Sequence, residues 1–220
     1  EDMIEPVMAI QSMNEEVLGN IKRNNISSDT YFEYQKRFHS IGASTNSDLI
    51  VPLPGETFET HLKALEKLFD MGVDNIQNHN MRMLPGSEMN SSIVRKKYNF
   101  KTKYRLIHGD SGCYKTPNGK EIKSFELEES LRSTNTMSEK DLFKLREIHF
   151  LVDFSWNFQV YSDLLKMAKK FKISQLDVIM NFLKNAKKDK KLIKFWKLFD
   201  KFSKDEWFGS REEAERFFSD

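Results

Sequence analysis

The sequence predicts an α/β fold: a parallel sheet with crossover helices, followed by a mostly α-helical C-terminal region. Three observations predict it. Over residues 1–90, short apolar runs alternate with helical patterns, the signature of βα units. Two of those runs end in Pro-Gly turns, Pro54-Gly55 and Pro85-Gly86. Neither Pro nor Gly falls between Tyr161 and Phe208, so that stretch lacks the residues that break helices.

Each element has its own signal. Val7–Ile10 is an apolar run that reads as a strand. Asn14–Arg23 reads as a helix, with Val17, Leu18 and Ile21 at helical spacing and Asn14 as N-cap. Ser28–His39 reads as a second helix, capped by Ser28 or Asp29. Leu49–Leu53 is a strand ending at Pro54-Gly55. Thr57–Met71 carries Phe58, Leu62, Leu65, Leu68 and Phe69 on one face, with Gly72 as C-cap. Asn75–Met83 is a strand ending at Leu84-Pro85-Gly86. This order makes two successive crossovers, which are right-handed in parallel sheets. Beyond them, Glu88–Lys97 reads as a short helix. Lys103–Cys113 and Glu121–Glu126 read as a hairpin turning at Pro117-Asn118-Gly119. Ser138–Phe154 is a helix opened by a Ser138/Asp141 capping box. Phe182–Phe202 is amphipathic and Lys-rich.

Composition narrows the function classes. The chain has 220 residues, 39% hydrophobic and 31% charged, with 18 Phe, 6 Tyr and 3 Trp. That aromatic content belongs to a packed core rather than a disordered polyelectrolyte. The single Cys113 excludes a disulfide framework, a Cys₄ zinc site and a cluster held by three or four local thiolates. No apolar run approaches about 18 residues, so no transmembrane span is expected; no signal peptide opens the chain, and the expected compartment is the cytoplasm. The net charge of +2 does not argue for nucleic acid. The charge is uneven, however: Lys166–Lys204 holds thirteen Lys against three Asp. These helices read as a solvated Lys-rich face; a nucleic-acid or acidic-partner site is the rival reading. The chain begins at Glu1 and is in the apolar run Pro6–Ile10 almost at once, which reads as a fragment of a longer protein.

Ligands of open parallel sheets and α/β barrels bind at the C-terminal ends of the strands. Here those ends carry Gln11-Ser12, Pro52-Leu53-Pro54-Gly55-Glu56-Thr57 and Asn80 to Ser87. Gly lets backbone approach a ligand, and a helix N-terminus favours an anion. Equally, Pro-Gly can simply turn the chain while Thr57 caps the helix.

The segments Ile10–Leu18, Ile21–Arg23, Asp48–Thr57 and Met83–Glu88 together resemble the second half of a radical S-adenosylmethionine (SAM) core. They are most similar to the branch that often carries an N-terminal cobalamin-binding domain. Ser133–Ser138, followed by an aromatic-rich helix, resembles the region after the barrel in that branch. The resemblance is strong over residues 5–90, extends to about 155 and is absent beyond. It implies the second half of a partial (β/α)₆ TIM-like barrel, strands four to six, in residues 1–100. A post-barrel extension would fill 101–155 and a Lys-rich helical region 156–220. It implies SAM, a [4Fe–4S] cluster and cobalamin as cofactors, and radical chemistry or methyl transfer as the activity. The cluster-binding CxxxCxxC segment does not occur in this sequence. The implied partner is therefore the N-terminal half of the same enzyme, without which the chain is not expected to act. A second departure is Pro52, where the family usually has Gly.

Carried over position by position, the resemblance implies a cofactor surface. Gln11 and Ser12 match positions facing the ribose and methionine part of SAM. Arg23 matches a basic position that reaches the SAM carboxylate, and Ile50 an apolar position against adenine. Asn80, Arg82 and Leu84 line the last strand end and complete the adenine or substrate pocket. Each has a plainer alternative: Ile50 as core and Arg23 as a solvated helix residue. Gln11 is the strongest, because a polar residue ending a buried strand needs a partner. No catalytic residue and no metal ligand is assigned. The five His (39, 61, 79, 108, 149) show no i,i+4 or HxH spacing; His79 sits at a strand end and reads either as pocket-facing or as structural. Gly109-Asp-Ser-Gly112 matches a serine-protease loop only superficially, since no His/Asp arrangement supports it. The rival to an enzyme is a non-catalytic half-barrel that binds a nucleotide or a protein partner.

Overall fold

The computed structural model describes residues 8–219. The chain is mixed α/β, with nine helices and four strands among the described residues. Helix α1 (Glu15–Asn20) is capped by Asn14, whose side chain accepts the Val17 N–H. Helix α2 (Ser28–Ser40) is capped by Ser27, not by Ser28 or Asp29, and the Ser27 side chain accepts the Thr30 N–H. Strand β1 (Asn46–Val51) begins three residues before the apolar run that announced it. Its polar start is buried, and local bonds satisfy it: Ser47 Oγ donates to the Met8 carbonyl at 3.0 Å. Just before the strand, Thr45 N–H and Oγ1 both reach Asp74 at 2.8 Å.

Helix α3 (Phe58–Met71) has the reciprocal Thr57/Thr60 cap at its start and Gly72 in the left-handed conformation, φ 74°, at its end. Strand β2 (Asn75–Asn80) pairs with β1 in parallel, from Asn46↔Asn75 to Val51↔Asn80. On the far side of β1, Met8 N–H donates to Asn46 O and Gln11 N–H to Asp48 O. Only Gln11 makes a regular parallel bridge, to Leu49. The expected strand 7–10 is thus a short extended run, with Val7 outside the described residues. Gln11, at φ 63°, ends it.

β2 stops earlier than expected, and its continuation changes partner. Met81 N–H still donates to Val51 O, but Leu131 N–H then donates to Met81 O and Met83 N–H to Glu129 O. These bonds join the parallel sheet to an antiparallel hairpin of β3 (Lys101–Lys115) and β4 (Glu121–Ser133). The hairpin turns where expected, with Gly119 N–H donating to Thr116 O. It is longer than expected, chiefly because β4 runs on past Glu126 to Ser133, and it carries a register shift between Leu106 and Ser111. Cys113 lies exposed on β3. A short 3₁₀ turn and α4 (Ser92–Lys97) fill the space between β2 and β3.

Helix α5 (Glu139–Val152), with its Ser138/Asp141 capping box, runs into a π-helical turn at Asp153–Asn157. That turn ties helices to sheet. Asn157 Oδ1 accepts the Ile76 N–H at 2.9 Å and Nδ2 donates to Ile76 O at 2.8 Å. One side chain thereby satisfies the open edge of β2 before β4 takes over. Helices α6 (Ser162–Lys170), α7 (Gln175–Ala186), α8 (Ile193–Asp205) and α9 (Arg211–Ser219) follow. The expected Lys-rich helix 182–202 is two helices separated at 187–192.

One core joins Leu49, Val51 and Ile76 of the sheet to Leu65, Leu68 and Phe69 of α3, Leu145 and Ile148 of α5, and Ile179 of α7. A second, smaller cluster at the strand ends joins Val17, Leu53, Met81, Met83, Tyr98, Phe100 and Leu131. Leu65 is fully buried between sheet and helices. Leu65→Ala should cost about 2–5 kcal/mol of unfolding free energy, the range for large-to-small changes in tight cores. Urea unfolding of the two proteins checks this: an unchanged midpoint would contradict the packing described.

Candidate functional site

The C-terminal ends of the 8–11 run, β1 and β2 open on one cleft of about 1210 Å³. Of the seven residues that the sequence marked, Gln11, Arg23, Ile50, Asn80, Arg82 and Leu84 line it; Ser12 does not. Ser12 is buried instead, its Oγ accepting the Asn14 N–H and its carbonyl the Asn25 amide. Gln11 holds its place by backbone: its N–H donates to Asp48 O at 2.8 Å and its carbonyl accepts the Ile50 N–H at 3.0 Å. Its left-handed conformation costs about 1 kcal/mol and turns the chain out of the sheet at the cleft. Arg23 follows α1 and donates through Nη2 to Ala9 O, which leaves its buried Nε without a partner. His79 also lines the cleft, 3.6 Å from Asp48 Oδ1.

Asn78 is the most telling residue that sequence reasoning passed over. It lines the cleft between the two strand-end residues, and both heteroatoms of its side-chain amide are buried without a hydrogen-bond partner. An unmet donor–acceptor pair costs free energy unless a ligand completes it. Adenine and ribose carry donor–acceptor pairs of that kind.

Of the two readings open for Pro54-Gly55, the structure shows the plainer one: the pair turns the chain into α3, and Thr57 caps that helix. Gly55 has φ 86°, and a Cβ there would lie 2.7 Å from Asn20 Nδ2. The close approach is thus to the end of α1, where Asn20 donates to Pro54 O and accepts from Tyr98 OH. The next residue, Glu56, is fully buried with His61. Glu56 Oε2 accepts the Leu53 N–H at 3.3 Å, and Oε1 is 3.4 Å from His61 Nδ1. His61 Nε2 lies 3.0 Å from His149 Nε2, and His149 lines the cleft. With His61 Nδ1–H turned to the carboxylate, its Nε2 accepts from His149 Nε2–H. The result is a hydrogen-bonded row from a buried carboxylate to the cleft wall. Burial, then His61 and Arg146, hold the His149 pKa well below its ordinary value.

The remaining wall comes from elements beyond the sheet. Arg105 on β3, Arg132 on β4, and Leu142, Arg146, His149 and Asp153 of α5 and its π turn all line the cleft. Burial raises the Asp153 carboxyl above its ordinary value, against the Asn157 hydrogen bond and His79. The i, i+4, i+7, i+11 spacing of Leu142, Arg146, His149 and Asp153 puts them on one helix face. That signal was present in the sequence. Lys187, Lys188, Lys190 and Lys191 do not line the cleft, and Lys187 pairs with Glu147 at 2.6 Å.

Among the described residues, no group of three or more His, Cys, Asp or Glu could hold a metal ion. Cys113, the sole thiol, is exposed on β3 and does not fit a [4Fe–4S] cluster. Nor is any described helix long and apolar enough to cross a membrane.

No protein-family model and no curated protein matches the chain. Among solved structures it is similar to the coproporphyrinogen III oxidase HemN from Escherichia coli, a radical SAM enzyme. The match has 30% identity and a TM-score of 0.34 over 36% of this chain. The chain spans 18% of that enzyme's length.

Because the folded state keeps His149 neutral, the unfolded state binds the extra proton as pH falls below the ordinary His value of 6.5. Stability should therefore be full above that value and decline steadily below it. His149→Gln should flatten this decline. Urea midpoints between about pH 5 and 7.5 test it; equal slopes for the two proteins would contradict the buried neutral His149.

Proposed function

We propose that this chain is the C-terminal half of a radical SAM core, supplying strands four to six of a partial (β/α)₆ barrel and the wall that holds the adenosyl group. The N-terminal half of the same enzyme would hold the [4Fe–4S] cluster, because the residues present here do not fit one. The observation that carries the reading is the cleft at the parallel strand ends: six of the seven family-matched positions line it, together with the unpartnered Asn78 amide. Cobalamin and methyl transfer rest on the resemblance alone.

In this reading the cleft residues bind and orient. Ile50 packs against the purine face. Asn78 offers an acceptor and a donor to adenine or ribose, and Gln11 presents its side chain beside the ribose. Arg23, with Nε free, faces the carboxylate of the methionine moiety. If SAM were held here, its sulfonium would supply one-electron radical chemistry, with the electron coming from the cluster of the N-terminal half and methionine as the leaving group. The row Glu56–His61–His149 fixes the imidazole of His149 as its Nε2–H tautomer at the cleft wall, which leaves Nδ1 as an acceptor.

Titration of the ¹⁵N-labelled chain with S-adenosylhomocysteine tests the binding half of this reading. The side-chain amide signals of Asn78, Asn80 and Gln11 should move together, and Asn78→Ala should weaken binding by about tenfold or more, the worth of hydrogen bonds to an otherwise unmet amide. Shifts confined to other surfaces, or none at saturating ligand, would contradict it.

A further inference from the structure

Besides Arg23, four guanidinium groups line the cleft: Arg82 at the strand end, and Arg105, Arg132 and Arg146 from the hairpin and α5. Arg82 Nε and Arg105 Nε each lie 2.5 Å from a Glu128 oxygen. Only the Arg105 contact is aligned as a hydrogen bond; Glu128 Oε2, beside Arg82, is buried without one. Glu206 takes Arg146 Nη1 and, at 3.5 Å, Arg105 Nη1. Glu139 takes Arg132 Nε at 3.2 Å and Lys103 Nζ at 2.9 Å. Five cations thus share three carboxylates. The alternation holds the side chains in place, and the surplus leaves the wall positive.

Arg132 is where that surplus is most costly. It is 4% exposed, lines the cleft and lies 4.0 Å above the Trp207 ring, with Arg105 over the same ring at 4.7 Å. Among the described residues its hydrogen bond is from Nε to Glu139. The two Nη groups have no such partner, although a guanidinium carries five donors in a fixed fork. Burial lowers its pKa, against the pull of Glu139. The guanidinium is held rigidly by burial, Glu139 and Trp207, and the residue lines a cleft large enough for a second molecule beside a nucleoside.

We propose that Arg132, with Arg105 and Arg146 beside it, is a recognition site for an anionic group, a carboxylate or a phosphate, on the substrate that shares the cleft. The proposal rests on the reading of this cleft as a ligand site and names the class of substrate it takes. The fork of Arg132 receives the anion in bidentate fashion. Trp207 keeps that fork flat, and Arg146 adds a second donor from α5. The Lys-rich surface of α7 and α8 plays no part in it.

Two probes at constant ionic strength test this on the complete chain: inorganic pyrophosphate and tricarballylate, each titrated calorimetrically and by melting temperature. Saturable binding of either supports the proposal, and the probe that binds names the source of the anion. Arg132→Gln and, as the more exposed alternative less disruptive to folding, Arg146→Gln should each weaken that binding by about ten- to a hundredfold. Replacing Lys190 and Lys191 by Gln should leave it unchanged. Stabilisation no greater than with matched sodium chloride, or affinity unaltered in the folded Arg146→Gln protein, would overturn the proposal. S-adenosylhomocysteine binding is measured on the same variants. Its persistence alongside loss of anion binding separates this wall from the adenosyl site, and its absence in the parent chain with anion binding intact would overturn only the SAM reading.

Discussion

The parallel pairing of β1 with β2 is the constraint on which the rest depends. Because both strands run the same way, and the 8–11 run joins them on the other edge, all three deliver their C-terminal residues to one end of the sheet. Side chains far apart in sequence, from Gln11 to Leu84, are thereby gathered around one cleft. A parallel pair cannot be joined by a tight turn, so α3 must cross between the strands and cover the face. Its buried Leu65, Leu68 and Phe69 weld that face to the sheet. The helix also starts at the cleft end, which puts Glu56 and His61 behind the strand ends.

The handover from β1 to β4 completes the wall. At Met81 the chain leaves one partner and takes the other, so the antiparallel hairpin stands directly against the parallel strand ends. The hairpin brings charge where the sheet brings amides and apolar surface. Glu128 bridges Arg82 of the first unit to Arg105 of the second. Arg146 and His149 close the third side from α5, and Trp196 and Phe199 of α8 pack behind Phe150. The cleft therefore combines amide and apolar surface from Ile50, Asn78 and Asn80 with guanidinium groups from Arg105, Arg132 and Arg146. That combination matches a molecule pair of nucleoside and anion better than a single apolar ligand.

Much of the fold was legible where periodicity and capping agreed. α3 carried a clean apolar stripe, Thr57 before it and Gly72 after it, and its observed start and C-cap match that expectation. The capping box at Ser138 marked α5 equally well. Legibility failed where polar residues are buried. Asn46, Ser47 and Asp48 fell outside the expected strand because their polarity hid the start of β1. The polar Glu128, Glu129 and Ser130 hid the second half of β4 in the same way. At the site, strand-end reasoning found the residues that one sheet end collects. It missed Asn78 one pair earlier, since a polar residue inside a strand gives no sign of which face lacks a partner. His61 and His149 showed no ligand spacing because tertiary packing of α3 against α5, not sequence distance, brings them to 3.0 Å.

The most direct test of the central claim uses the complete gene product containing this chain, purified anaerobically with iron and sulfide and reduced in the presence of SAM. A radical SAM core requires about four irons per polypeptide, a visible charge-transfer absorption, and release of 5′-deoxyadenosine that falls sharply in Asn78→Ala. A product that binds no iron and leaves SAM intact would contradict it.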